Sequence, residues 1–413
     1  MTKVHERFLK YVAFDTKSDP DSETCPSAEK QKKLGAFLVS EMKAMGISDV
    51  GMDENGYVYG QVPSNSSNAK APSLALIAHM DTSPDLSGAN IKPQIIKNYD
   101  GGTIVLNESL DIKMSPKEFD HLAHYKGQDL IVTDGTTLLG ADNKAGIAEI
   151  LTLCERLIEH EEILHGPLKI AFTPDEEVGR GADLFNLEKL KADFGYTVDG
   201  GELGELEFEN FNAATAKVKI KGTNIHPGSA KGKMVNSILI GMEFNQMLPS
   251  FDVPSFTENY EGFNHLNDFQ GTVEETHLLY IIRDHDLEKF EAKKAMFMKI
   301  TDFLNQKYGS NTVETKLVDS YFNMREKILP HFHLIETVKT AMESCNVAPL
   351  IVPIRGGTDG ARLSYMGLPC PNICTGGHNF HGRFEYIPVQ SMEKTVDILI
   401  EIVKSYERYQ MEV

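Results

Sequence analysis

Four short apolar runs constrain this chain more than any other feature, because each one leads straight into a carboxylate or an imidazole. "SLALIA" is followed by His79-Met80-Asp81 and "PLKIAFT" by Pro174-Asp175-Glu176-Glu177. "GYTV" is followed by Asp199, and far downstream "CPNICT" leads into Gly376-Gly377-His378-Asn379-Phe380-His381. Runs of this kind alternating with helical patterns are the signature of an α/β domain. In open α/β sheets, ligands gather outside the carboxyl ends of the strands, so such a fold converges polar groups distant in sequence on one crevice. Asp142 joins them from "LLGADNKAGIAEIL", a glycine-bracketed turn before a helix whose Ile147, Ile150, Leu151, Cys154, Leu157 and Ile158 share one face.

Between these segments the pattern changes. "AATAKVKIKG" alternates Ala214, Ala216, Val218 and Ile220 with Thr215, Lys217, Lys219 and Lys221, which predicts a half-exposed antiparallel strand. A helix ("NSILIGMEFNQML"), a strand ("THLLYIIRD"), a long helix ("DLEKFEAKKAMFMKITDFLNQKYG") and a last strand ("TVETKLVDSYF") follow. The expected organisation is an α+β unit of residues 213–320, inserted into a discontinuous catalytic domain of residues 1–212 and 321–413.

With 60 acidic against 41 basic residues the chain carries a formal charge of −19, which argues against nucleic acid or an anionic membrane as partner and makes cations the natural guests. No apolar stretch approaches the roughly 20 residues of a membrane span. The five cysteines are odd in number and form no C-x-x-C pair, so neither a disulfide framework nor a thiolate metal site is expected. The start reads as an amphipathic helix rather than a leader, and the chain is expected to be cytoplasmic.

The candidate ligands His79, Asp142, Glu177, Asp199 and His381 offer nitrogen and carboxylate oxygen only. That set suits zinc first, with cobalt or manganese as substitutes. Five ligands exceed what one catalytic zinc takes. If Asp142 bridges, each of two cations receives three protein ligands and shares a water with the other. Asp81, two residues from His79, is placed to accept the second imidazole N–H and fix the tautomer. Glu176, beside a ligand but pointing elsewhere, is the candidate general base. His121-x-x-His124 and His331-x-His333 follow no strand end and read as surface or core histidines. His378 rivals His381 as a ligand, and spacing does not separate them. "RGGTDGARL" lacks the lysine of a phosphate loop and reads as a tight turn feeding a helix, with Arg355 free to meet a carboxylate. Locally, His226 is only a loop histidine and Arg283 only a strand-end charge.

The segments "ALIAHMDTSPD", "TLLGADNKAGIAEI", "FTPDEEVGRGAD", "HPGSAKGKMVNS" and "IRGGTDGARLSYMGLPCPNICTGGHNFHGRFEYIP" resemble the dinuclear-zinc exopeptidases and deacylases, the family that includes carboxypeptidase G. The resemblance runs from the first helix to the last. It implies that His79 and Asp199 bind one zinc, that Glu177 and His381 bind the other, and that Asp142 bridges, often ahead of a cis peptide. It implies an orienting role for Asp81 and general-base work for Glu176. The insertion becomes a lid and dimerisation domain, which makes His226 a stabiliser of the tetrahedral oxyanion, Arg283 a contact for the substrate carboxylate, and the chain a candidate homodimer. Arg355 and Asn379 become further substrate contacts. An aspartate at position 199 is usual in the aminopeptidase branch. The implied reaction is release of the N-terminal residue from short peptides, tripeptides foremost. The alternative is an N-acyl amino acid or diaminopimelate-type deacylase using the same site, and a non-catalytic relative is opposed by the presence of Glu176 together with every candidate ligand.

Overall fold

The structure, a computed structural model, describes residues 2–409. Two compact units emerge: one comprises the chain up to residue 208 with residues 326–352 and everything from 358 onward, the other residues 209–325 with 353–357.

The first unit is built on an eight-stranded mixed sheet. Its centre consists of Leu168–Thr173, Leu74–His79, Phe194–Gly200 and Asn372–Cys374, all parallel to one another. These are the four apolar runs of the sequence, and their carboxyl ends share one edge of the sheet. Every residue of Leu74–His79 is buried, as a strand covered on both faces requires. On one face Ala75, Ile77 and Ala171 pack against Phe185, Leu363 and Leu368. Helix Ala141–Glu159 packs on the strands Leu74–His79 and Phe194–Gly200. Gly146 permits that approach: a Cβ there would lie 2.0 Å from the Val198 carbonyl oxygen. The helix is also packed by Val4–Val12 and Val389–Arg408. Its expected apolar face is buried at Ile147, Ile150, Leu151, Cys154 and Leu157, yet Glu149 is fully buried as well.

Residues 94–132 add a small lobe with no counterpart in the strand-end pattern. It contains Gln94–Ile96 and Leu130–Val132 paired with Tyr386–Pro388, and the hairpin Ile104–Asn107/Ile112–Met114. Tyr99, Ile104, Met114, Leu122, Tyr125 and Tyr386 form its core.

The second unit is an antiparallel four-stranded sheet in the order Phe263–Gly271, Glu275–Asp284, Asn212–Lys221, Val313–Tyr321. Helices Ser237–Gln246 and Leu287–Tyr308 cover it, burying Ala214, Ala216, Val218, Ile220, Phe244, Tyr280 and Phe297 together. The predicted alternation along residues 213–222 is therefore real, with the lysines outward. The edge strand Phe263–Gly271 is absent from the sequence reading, because FNHLNDFQG, with a single buried residue, carries a bulge between Leu266 and Asp268 and no period-two pattern. Among the described residues no helix is long and apolar enough to cross a membrane.

Candidate metal centre

The parallel strand ends bring five side chains of the first unit together. His79 closes its strand, fully buried, with Nε2 2.8 Å from Asp142 Oδ1 and 3.3 Å from Asp199 Oδ1. From the other side, His381 Nε2 lies 3.2 Å from Asp142 Oδ2 and 2.9 Å from Glu177 Oε2. Asp142 thus turns one carboxylate oxygen to each histidine. Its turn makes this possible: Gly140 sits at φ +80°, and Asp142 and Asn143 both leave the helical conformation before the helix proper begins.

The electrostatics follow from burial and crowding. Burial lowers the affinity of the His79 ring for a proton, but Asp199, Asp142 and Asp81 outweigh it and hold the pKa well above the ordinary value. Hydrogen bonds to Asp142 and Glu177 push His381 up to about 11. Burial, then the charge of Asp142, raises Glu177 to about 8. Glu176 is held well above the carboxylate range by burial, with Asp199, Asp359 and Glu177 adding to it against His79. These groups crowd negative charge into a site of low polarity, a place that draws cations. Ligand atoms of His79, Asp142 and Glu177 lie within 4.8 Å of one another. Among the described residues Glu177 Oε1 is buried without a hydrogen-bond partner, as an oxygen reserved for an ion would be. The donor set is nitrogen and oxygen alone, chemistry that suits divalent cations such as zinc, cobalt or manganese.

Asp81 is fully buried behind His79, whose Nδ1 lies 3.1 Å from the Asp81 carbonyl oxygen and 3.3 Å from Oδ1. The same carboxylate accepts the N–H of Glu176 at 3.0 Å and of Glu177 at 3.2 Å, a tie invisible in the sequence. Asp175, at φ +60°, caps that turn and accepts from Ser27 N–H, Ser27 hydroxyl and Gln31 amide at 2.5–2.7 Å.

His378 is set apart from His381. It stacks against His121 and Tyr386, with Nε2 2.6 Å from the Tyr125 hydroxyl, and burial lowers its pKa to about 3. His121, likewise, faces the Tyr386 hydroxyl at 2.6 Å, while His331 and His333 pack around Phe194. Asn379 donates its amide to Phe384 O in its own loop at 3.1 Å.

Three expected contacts belong to the second unit. His226 is exposed, and its Nδ1 accepts the Gly228 N–H at 3.2 Å. Arg283 is half-buried over the Tyr321 ring and donates to Ile282 O and Ala214 O; burial lowers its pKa, and no carboxylate pairs with it among the described residues. Arg355 corrects the sequence reading, because it is not free to meet a carboxylate. Its Nη1 donates to Asn259 O and Glu261 O at 2.7 and 2.9 Å, its Nη2 to Thr257 O and Oγ1 at 3.3 and 3.0 Å, and it lies over Phe211 and Phe263. Three carbonyls and one hydroxyl of the loop 257–261 thus occupy both terminal nitrogens of the guanidinium.

Two buried carboxylates that sequence reasoning missed support the site. Asp359 accepts the Thr173 hydroxyl at 2.8 Å. Glu385 accepts three backbone N–H groups around Asp142. Neither follows an apolar run, the signal that exposed the others.

Comparison with known proteins identifies relatives along the whole chain. The peptidase dimerisation domain family matches residues 208–312. Among solved structures, aminopeptidase PepT of Bacillus cereus superposes with a TM-score of 0.77 at 24% identity over 98% of both chains. A tripeptidase of Staphylococcus aureus gives 0.78 at 24% identity, again over 98% of each. Peptidase T of Caldanaerobacter subterraneus is 59% identical over 98% of this chain and 99% of its own length. With likeness of that degree from end to end, and with the strand ends composed as described, the chain belongs to the peptidase T family of hydrolases.

Proposed function

We propose that the chain is an aminopeptidase that removes the N-terminal residue of tripeptides at a two-cation centre. The observation that carries this reading is Asp142, whose two oxygens face His79 and His381 from opposite sides. The names of its relatives, peptidase T and tripeptidase, support the substrate. On this reading His79 and Asp199 hold one ion, Glu177 and His381 the other, and Asp142 both; zinc fits best. Bound there, two such ions supply Lewis-acid polarisation of the scissile carbonyl and acidify a shared water.

The chain's own groups do the rest. Glu176, fixed through its N–H to Asp81, takes the proton of the attacking water and hands it to the departing amine nitrogen. Because Gly228 N–H donates to Nδ1 of His226, the proton of the neutral ring sits on Nε2, which is left to donate to the carbonyl oxygen as charge develops there. Arg283, desolvated and without a carboxylate of its own, grips the C-terminal carboxylate of the peptide. The second unit serves as lid and as the surface that pairs with a second copy of the chain, in line with the dimerisation family it matches.

Glu176→Gln tests the assignment. It should keep both ions and lower kcat on a tripeptide by roughly 10²–10⁴-fold, the usual range for a general base. Turnover within tenfold of the parent at full metal content would refute it. An N-acetylated tripeptide should not be cleaved, and its cleavage in preference to the free amine would transfer the chain to the deacylases.

A further inference from the structure

The turn that presents Asp142 has no cap of its own. Gly140 heads helix Ala141–Glu159 without a side-chain acceptor from its own segment. The acceptor comes from far downstream. Glu385 Oε2 takes the N–H of Leu139 at 2.6 Å and of Gly140 at 2.8 Å, while Oε1 takes the N–H of Asp142 at 3.1 Å. The side chain is 1% exposed. Glu385 also lies four residues beyond His381, in the same loop, and its own N–H closes a turn onto Gly382 O at 3.3 Å. One short loop therefore carries both the histidine that faces Asp142 Oδ2 and the carboxylate that grips the backbone of Asp142.

We propose that Glu385 is a positioning residue that locks the bridging aspartate to the His381 loop, so that two ligands 239 positions apart are set as one rigid piece. This rests on the two-cation reading above. A carboxylate suits the task because it accepts from all three donors and donates to none. A glutamine of the same volume must turn its NH₂ toward at least one backbone N–H, and an aspartate keeps the charge but falls short by one methylene. Partners that orient metal ligands in this way typically contribute 10–100-fold to metal affinity.

The test uses the full-length chain stripped with a chelator and titrated with Zn²⁺, parent beside Glu385→Gln and Glu385→Asp, together with hydrogen exchange at the Leu139, Gly140 and Asp142 amides. Glu385→Gln should bind zinc 10–100-fold more weakly, with faster exchange at those three amides. Glu385→Asp should recover part of both. If Glu385→Gln does not fold, Glu385→Asp alone should show the weaker binding. A helix cap without positioning work would lower Tm and leave zinc affinity at the parent value, and that result overturns the proposal. A parent chain that binds no zinc removes the metal centre itself and this inference with it, whereas a parent binding two ions beside equally tight variants removes the inference alone.

Discussion

Gly146→Ala is a one-carbon test of whether the site depends on how helix Ala141–Glu159 sits against strand Phe194–Gly200. The new Cβ would lie 2.0 Å from Val198 O and 2.6 Å from Asn143 Oδ1, against an ordinary contact of 3.4 Å or more. Neither obstacle gives way cheaply, since one is backbone in the centre of a sheet and the other belongs to the turn that presents Asp142. The helix must then retreat by about 1.4 Å, the gap between those two distances. Overpacking of this kind costs about 1–3 kcal/mol, too little to unfold an ordinary domain. The chemistry should suffer more. Asp142 rides on the retreating helix and Asp199 stays on the strand, and a misplacement near 1 Å costs on the order of 10²-fold in rate. The assay pairs zinc stoichiometry and kcat on a tripeptide with a thermal melt. A variant that melts a few degrees lower yet keeps two ions and kcat within twofold would refute the reasoning.

Glu149 supplies a pH prediction, because burial alone raises its pKa well above the ordinary 4.5 and neither oxygen has a hydrogen-bond partner among the described residues. In the window from 4.5 upward the folded chain keeps a proton that the unfolded chain releases, so stability falls as pH rises. Glu149→Gln removes that slope and should raise Tm at pH 8 but not at pH 4; an equal shift at both would refute it. Arg7 is buried among Glu41 Oε1 at 2.9 Å, Thr152 Oγ1 at 2.9 Å and Glu155 at 3.5 Å, so Arg7→Ala removes the cation from two largely buried acids, which keep, among the described residues, only the Tyr11 hydroxyl and the Thr2 N–H, and should cost about 3–5 kcal/mol in denaturant unfolding. A loss under 1 kcal/mol would contradict that account. Replacing the substrate's C-terminal carboxylate by an amide should lower kcat/KM about 10–100-fold through Arg283, the worth of a charged hydrogen bond. The penalty should vanish in Arg283→Ala, and equal efficiency of acid and amide on the parent would exclude the grip.

The parallel core was legible because strands buried on both faces must be written as continuous apolar runs, and the polar residue after each run stands out against them. His79, Glu177, Asp199 and His381 all announce themselves that way, and Asp142 by its glycines. What stayed hidden has its partners in the backbone. Glu385 answers N–H groups at Leu139, Gly140 and Asp142, and Arg355 answers carbonyls at Thr257, Asn259 and Glu261. Every residue owns such groups, so no pattern of side chains betrays the pairing. His378 shows the same limit, since its stacking on His121 and Tyr386 and its hydrogen bond to Tyr125, none of them visible in the spacing, distinguish it from the candidate ligand His381.

Asp81 touches the ring of His79 and both amides of the Glu176-Glu177 turn. One carboxylate thereby ties the His79 ring to the Glu176-Glu177 turn; on the proposed two-cation reading, it sets the distance between an ion and the group that moves protons beside it. Tuning either property separately, whether by drift or by design, means working around this shared strut. A variant selected for a different ion at His79 should therefore carry an altered proton-transfer step as a passenger, even with Glu176 untouched.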